Sequence, residues 1–399
     1  MLLYSNLLLL GVLTSAQVFP IDAMADWSSI HNSDVYDWRT SFLFSNDNFT
    51  MDAMRRFSII HDDSNTCLDN TNNKGHSRNN RVSSPPHTSF IKGTTYWINE
   101  WFQVGHILNE LPIFQVMYTT KIDRIIFQRC CLSSQVEARE YFKGLVALLV
   151  GSYSSSAPVP FYIRDSECGN VYDAYNFIFN ASSGKVTEVI NKSDRMIITS
   201  HTCFEHVIDA CDKRNNNCNR QSVSTPAVLQ FKNYIYNLFP FKHYSYSPFI
   251  ISLINRPRGF SRQIGNFDFF CNELKSSFTS PKHEVRCLYQ DDLIRNFSSQ
   301  VTASVQSDVL ILEHGAFQTN TIYMRNGSLS INLFGKYIAN SELIRFFEVA
   351  AQSFGVYTFP LLHESLLTHE QLNFNLSITE ISKVVDIIES YRTHIGSSS

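Results

Sequence analysis

The sequence predicts an α/β fold divided into two lobes, on three observations. Short apolar runs alternate with helix-length stretches from Phe90 onward, most regularly between Tyr246 and Pro360, and that alternation signals parallel βαβ layers. A chain of 399 residues exceeds what most single cores need. A polar, Asn-rich stretch at Asn215 to Asn219 interrupts the pattern near its middle and marks a break.

The elements follow in order. Residues 61–89 are rich in Asn, Ser and Pro with almost nothing to bury and read as a polar insert. Arg124 to Gln128 reads as a strand, and Ser134 to Val150 as a helix leading into an apolar segment. Arg195 to Ser200 is a strand candidate, and Ala227 to Leu238 a helix. Tyr246 to Asn255 is strand-like, Phe267 to Ser277 helical, Glu284 to Leu288 a short strand, and Asp292 to Ser304 a helix. Asp308 to Leu312 is a continuous apolar strand that ends on a His-Gly pair. Leu329 to Phe334 is a strand and Ser341 to Gln352 a helix. The lobes expected are 17–235 and 236–399.

Hydrophobic residues are 44% and charged residues 17%, with a formal net charge of −3. That balance gives no global attraction for a nucleic acid or an anionic membrane. Leu7 to Leu13 is apolar apart from Gly11 and is followed by small residues ending at Ala16, the pattern of a signal peptide over 1–16. An uncleaved anchor is the alternative. In a secretory compartment the nine cysteines can pair. Cys203, Cys211 and Cys218 form one group, with zinc and free thiols as rivals to disulfides, and Cys271 and Cys287 form another. Sequons at Asn48, Asn180, Asn191, Asn296, Asn326 and Asn375 support a luminal location only weakly, because a chain so rich in Asn, Ser and Thr produces several by chance.

Three stretches carry candidate chemistry. In Asp308 to Ala316, His314 and Gly315 fall at the carboxyl end of a strand, where open parallel sheets bind ligands. Small Gly315 and Ala316 let backbone amides approach a phosphate; the bland alternative is a Gly-containing turn with a satisfied histidine. In Asn255 to Asn266, Arg256, Arg258 and Arg262 sit within seven residues, and guanidinium forks fit phosphate oxygens; a solvated basic loop is the alternative. In Trp101 to Pro112, His106 and Glu110 are four apart and share a helix face. Such a pair can act as a base on a hydroxyl, though alone it is more often a surface pair. No P-loop, G-x-G-x-x-G, G-x-S-x-G or D-x-D motif is present. The missing D-x-D argues against the metal-dependent sugar transferases.

Taken together, these residues resemble glycosyltransferase family 61. Gly105-His106 with Glu110 and Pro112, the Arg124–Phe127 strand, Phe204-Glu205, Arg256 and Arg262-Gln-Ile-Gly-Asn266, Gln300 and Asp308 through His314-Gly-Ala-Phe-Gln-Thr-Asn320 occur in the family's order. The resemblance spans about residues 90–360 and is firmest over 250–335. It implies a GT-B fold, two Rossmann-like lobes facing across a cleft. It also implies inverting, metal-independent transfer of GlcNAc or xylose from a UDP-sugar to a glycoprotein glycan or a Ser/Thr-linked sugar, in the lumen of the endoplasmic reticulum or Golgi. No permanently bound cofactor is implied; the UDP-sugar is a substrate.

By that resemblance Arg256 and Arg262 hold the diphosphate. His314, Gly315, Ala316 and Asn320 line the donor site, with Asn266 and Gln300 beside them, while Glu110 and His106 lie on the acceptor side with Glu110 the preferred base. Three positions depart from the family pattern. Phe317 stands where Gly is usual and is expected to narrow the turn. Glu313 stands where a small or apolar residue is usual. Asn332 replaces a carboxylate, which Glu313 would offset. A catalytically inactive member serving as a binding or chaperone-like subunit is the alternative reading.

Overall fold

The computed structural model describes residues 59–60, 66–67, 89–98, 112–127, 136–153, 159–164, 171–198, 202–208, 225–239, 248–294, 296–336, 342–368 and 371–396. Segment 1–16 and the His106–Glu110 pair lie outside them.

The first sheet contains β1 (Ile59–Ile60), β2 (Thr66–Cys67), β3 (Ser89–Ile98), β4 (Arg124–Phe127), β5 (Phe161–Arg164), β6 (Val171–Asn180), β7 (Lys185–Ile197) and β8 (Thr202–Ile208). Its order is β1-β8-β3-β4-β5-β6-β7, with β2 also on β8. The central pairs β8–β3, β3–β4 and β4–β5 are parallel. β5–β6 and β6–β7 are antiparallel, so this sheet is mixed and not the all-parallel layer of a doubly wound lobe. Local chemistry makes the β6–β7 hairpin. Asn180 Oδ1 accepts the Ser182 amide at 3.0 Å, and Gly184 takes φ +64°, the left-handed conformation glycine adopts without penalty. Of the strand expected at 195–200, residues 195–197 are the end of this hairpin.

Helices α1 (Pro112–Thr119), α2 (Val136–Tyr153) and α3 (Thr225–Leu238) pack beside that sheet. The position expected to divide the lobes, 235, lies inside α3.

The second sheet is β11-β9-β12-β13-β14, built from β9 (Phe249–Asn255), β11 (His283–Tyr289), β12 (Val309–Glu313), β13 (Leu329–Gly335) and β14 (Tyr357–His363). Every pair is parallel. β10 (Gln263–Ile264) and β15 (Asn373–Phe374) form a separate parallel pair. Helices α4 (Phe267–Ser277), α5 (Gln290–Ile294), α6 (Phe297–Gln306), α7 (Glu342–Ser353) and α8 (Ile378–Gly396) and a 3-10 helix over Ala316–Tyr323 complete this half. The single helix expected from 292 to 304 is split into α5 and α6. Asn296 stops the first and caps the second, its side chain accepting the Ser299 amide, as N-cap asparagines do.

In order of appearance along the chain, the second sheet runs 2-1-3-4-5. That arrangement has its topological switch point between the first and third strands, here β9 and β12. Both faces of the sheet are covered, which is why β12 reads as an unbroken apolar run. Val309 and Ile311 join Phe270, Leu274, Ile381 and Val384 on one face. Leu310 and Leu312 join Phe317, Met324 and Ala351 on the other. The cysteines Cys271 on α4 and Cys287 on β11 are joined by a disulfide, and Cys203 is also disulfide-bonded, which removes it from a zinc site.

A continuous apolar cluster joins the two halves. Phe114 from α1 and Phe231 from α3 pack edge-on to each other and to Phe354 just after α7, with ring centroids 5.0 to 6.0 Å apart. Phe297 of α6 meets Tyr141 of α2 at 5.5 Å. Fully burying each such aromatic contributes roughly 1.5–3 kcal/mol.

Candidate active site

The pleat of β12 decides where its last residues point. Side chains alternate along a strand, so Glu313 follows Val309 and Ile311, while His314 follows Leu310 and Leu312 onto the face carrying α7. His314 is buried there, stacked on Phe334 at 5.4 Å and edge-on to Phe347. Its Nδ1 lies 3.3 Å from Gln318 Oε1, and the same oxygen accepts the Gly315 amide at 3.3 Å. An amide oxygen only accepts, so Nδ1 is a nitrogen that carries a proton. Gln318, unremarked in the sequence, thus contacts both His314 and the start of the turn.

Gly315 sits at φ +159°, a backbone conformation that favours glycine, and beside a close approach. A Cβ at this position would lie 2.7 Å from Arg256 Nη1 and 3.7 Å from Arg262 Nη2. The two guanidiniums therefore converge on the Gly315 backbone at the switch point of the sheet. Arg256 Nη1 also donates to the His314 carbonyl at 3.1 Å. Ala316 opens the 3-10 helix and is exposed.

The arginine loop is held from below. Asn255, at the carboxyl end of β9, is buried. Its side-chain amide donates to the Ile264 carbonyl at 3.0 Å and its oxygen accepts the Ile264 and Arg256 amides at 2.9 Å each. The far side of the loop is zipped to segment 371–374 by Arg262 N to Gln371 O at 2.7 Å and Gln263 N to Leu372 O at 2.8 Å. Arg262 is buried and sits at φ +66°, a left-handed conformation that costs a non-glycine residue energy and clusters at functional sites. Arg258 turns the other way. It is mostly exposed, with its guanidinium 4.3 Å over the Tyr289 ring and 3.8 Å from Asp291.

Three sequence candidates brace the site. Asn320 is buried, and its amide donates to Gln300 Oε1 at 3.2 Å and to the Phe317 carbonyl at 3.0 Å. Asn320 with Gln300 therefore ties the 3-10 helix to α6. Asn266 pairs with the backbone of Leu376, donating at 2.8 Å and accepting at 3.0 Å. The expectation that Phe317 narrows the turn is corrected, because its side chain is buried in the apolar cluster beneath the sheet. Asn332 is buried within β13 and accepts from Ser330 Oγ at 2.9 Å.

Glu313 is the unexpected element. Its side chain is fully buried, 3.6 Å from Nε2 of equally buried His363 on β14, a separation longer than a hydrogen bond. Neither carboxyl oxygen has a hydrogen bond. Burial raises its pKa above the ordinary 4.5, opposed in part by His363, Arg262 and Arg256. Desolvation wins over the nearby positive charges because a carboxylate without hydrogen bonds loses most of its hydration. Among the described residues, no group of three or more His, Cys, Asp or Glu side chains could hold a metal ion.

The family model described as Glycosyltransferase 61 matches residues 49–331, more than half of the chain. No curated protein matches it.

Proposed function

Because the chain belongs to glycosyltransferase family 61, we propose that the convergence of Arg256 and Arg262 on Gly315 is the diphosphate subsite of a UDP-sugar donor. The single observation that carries this reading is the pair of guanidiniums, one 3.1 Å from the His314 carbonyl, meeting a bare backbone at a sheet's switch point. Guanidiniums bind phosphate oxygens bidentately, and their fixed charge stabilises a leaving diphosphate as negative charge develops on it. Two arginines can supply that charge without a metal, in keeping with metal-independent transfer. Inversion follows from direct attack of an acceptor hydroxyl on the anomeric carbon, opposite the departing diphosphate. One proton must leave that hydroxyl, and Glu110, assisted by His106, is the proposed base. His314, on the donor side, is the third catalytic group.

The reading extends to a GT-B arrangement with the donor on the second half and the acceptor on the first. GlcNAc or xylose is the sugar, a glycoprotein glycan or Ser/Thr-linked sugar the acceptor, and the lumen of the endoplasmic reticulum or Golgi the location. Among the described residues no helix is long and apolar enough to cross a membrane. The test is calorimetric titration with UDP, with and without EDTA, and with GDP as control. UDP-selective binding that survives EDTA is expected, and absence of UDP binding to folded protein overturns the subsite. Binding without turnover of any UDP-sugar would instead identify an inactive family member.

A further inference from the structure

We propose that Glu313 is a resident counter-anion of the Arg256–Arg262 pair, so that binding of a diphosphate is coupled to uptake of one proton by this carboxyl group. The inference rests on the reading of the arginines as a diphosphate subsite. It concerns what the chain keeps there before the ligand arrives.

Two guanidiniums held together at a half-buried backbone repel each other. Glu313 lies two residues before the Gly315 they converge on, on the opposite side of the strand end from His314. Its side chain is fully buried and has no hydrogen bond to either oxygen. Every charged or titratable group acting on it is cationic or can become so: His363 from β14, and Arg262 and Arg256 from the loop after β9. Beyond the strand ends, Lys336 and Glu364 are exposed and paired with each other at 2.6 Å. The carboxyl group is thus placed to offset arginine charge through a medium that screens poorly.

An incoming diphosphate brings at least two negative charges to the same guanidiniums. Its charge opposes that of the Glu313 carboxylate, and a buried carboxylate near a second anion favours its neutral form. The balance is simple: the carboxylate takes one proton from solvent, forming one O–H bond, and the phosphate oxygens then balance the guanidinium charge in its place. Burial already biases the group toward protonation, so the step needs little additional driving force. His363, 3.6 Å away, has its ring stacked 4.1 Å from Phe374. An apolar residue at 313 would remove this pH dependence of anion binding. The glutamate makes donor binding tighter in acid and weaker as pH rises.

The experiment is titration of the full chain with UDP and with inorganic diphosphate, in buffers of different ionisation enthalpy, comparing the native protein with Glu313→Gln and Glu313→Val. The ligand's own proton changes are common to all three proteins and cancel in the difference. The native protein is expected to take up as much as one more proton per ligand than either variant. At alkaline pH both variants are expected to bind more tightly than the native protein, with the gap growing by up to about tenfold per pH unit, the factor that one pH unit of proton coupling is worth. Valine suits a buried strand, so it retains a folded test if glutamine does not. Equal proton uptake in native and variant proteins overturns the proposal while leaving the diphosphate subsite intact. Weaker binding by both variants also overturns it, since the carboxylate would then be orienting the arginines. Binding of inorganic diphosphate with proton uptake, but not of UDP, keeps the coupling and sinks the nucleotide-sugar reading. Failure of both ligands overturns both.

Discussion

Lys232 Nζ donates to the Met324 carbonyl at 2.6 Å from a completely buried position on α3. Met324 is the residue that closes the 3-10 helix bearing Ala316 and Asn320. The same amine reaches the Phe354 carbonyl just after α7. One side chain therefore ties the helix layer of the first half to two carbonyl ends in the second, where a positive or donor group is favoured.

Lys232→Met is expected to destabilise the protein by about 1–3 kcal/mol by removing the amine's hydrogen bonds to the Phe354 and Met324 carbonyls, the second of which keeps Tyr236 Oη at 3.3 Å. Burial holds the Lys232 pKa well below its usual 10.5. The unfolded chain therefore binds the extra proton over the interval below 10.5, and stability attributable to this group rises with pH there and falls as pH is lowered toward the folded value. Chemical denaturation of native and Lys232→Met protein between about pH 8 and 10 checks this. The difference between them should grow with pH, and a difference that does not change with pH would sink the linkage.

Arg262→Ala is expected to weaken UDP affinity by about tenfold or more, the loss of one charge-assisted contact of about 1.5–3 kcal/mol. Thermal unfolding measured beside the titration separates this from a folding defect. Unchanged affinity in folded protein would remove Arg262 from the subsite.

Gly315→Ala offers a sharper probe of the same geometry. The added methyl would sit 2.7 Å from Arg256 Nη1, and a side chain at φ +159° strains the backbone as well. Affinity for UDP should fall about tenfold, and Tm should fall by the equivalent of about 1–3 kcal/mol of backbone strain, so affinity is read on protein shown to be folded. Retained affinity would mean the arginines bind no ligand at this backbone.

His314→Gln keeps a polar group between Phe334 and Phe347 but removes the imidazole. Turnover should fall by about 100-fold, the lower range of acid–base contributions, with UDP binding largely retained. Full turnover would make His314 a packing residue that shapes the turn through Gln318.

The Cys271–Cys287 disulfide closes a loop of sequence separation 16 between α4 and β11. A cross-link of that span contributes about 3 kcal/mol, chiefly by restricting the unfolded chain. Replacing both cysteines with serine should lower Tm by a matching amount while leaving UDP affinity unchanged, because neither residue reaches the arginine loop. Loss of affinity would tie α4 to the site.

The second sheet was legible because its strands are buried on both faces. Phe249–Asn255, Val309–Glu313 and Leu329–Gly335 stand out as apolar runs between helical patterns. The β6–β7 hairpin was missed because β7 is mostly exposed and its polar sequence carries no period a core would impose. α8, although 19 residues long, was likewise unassigned. Within the site, the arginines and the His-Gly pair were visible as residue types matched to phosphate chemistry. Asn255, Gln318 and His363 were not, since an Asn, a Gln and a His at those positions have nothing distinctive until a partner distant in sequence approaches them.

By itself the sequence determined the family, the parallel strands of the second half and the two arginines whose charge suits an anion. Those properties are local: they depend on burial period, residue chemistry and spacing along the chain. The tertiary structure alone decided that Arg256 and Arg262 meet over Gly315, that Phe317 packs into the core, and that Glu313 is buried beside His363. A strand places alternate residues on opposite faces, and only the register of β12 between β9 and β13 determines which neighbours occupy each face.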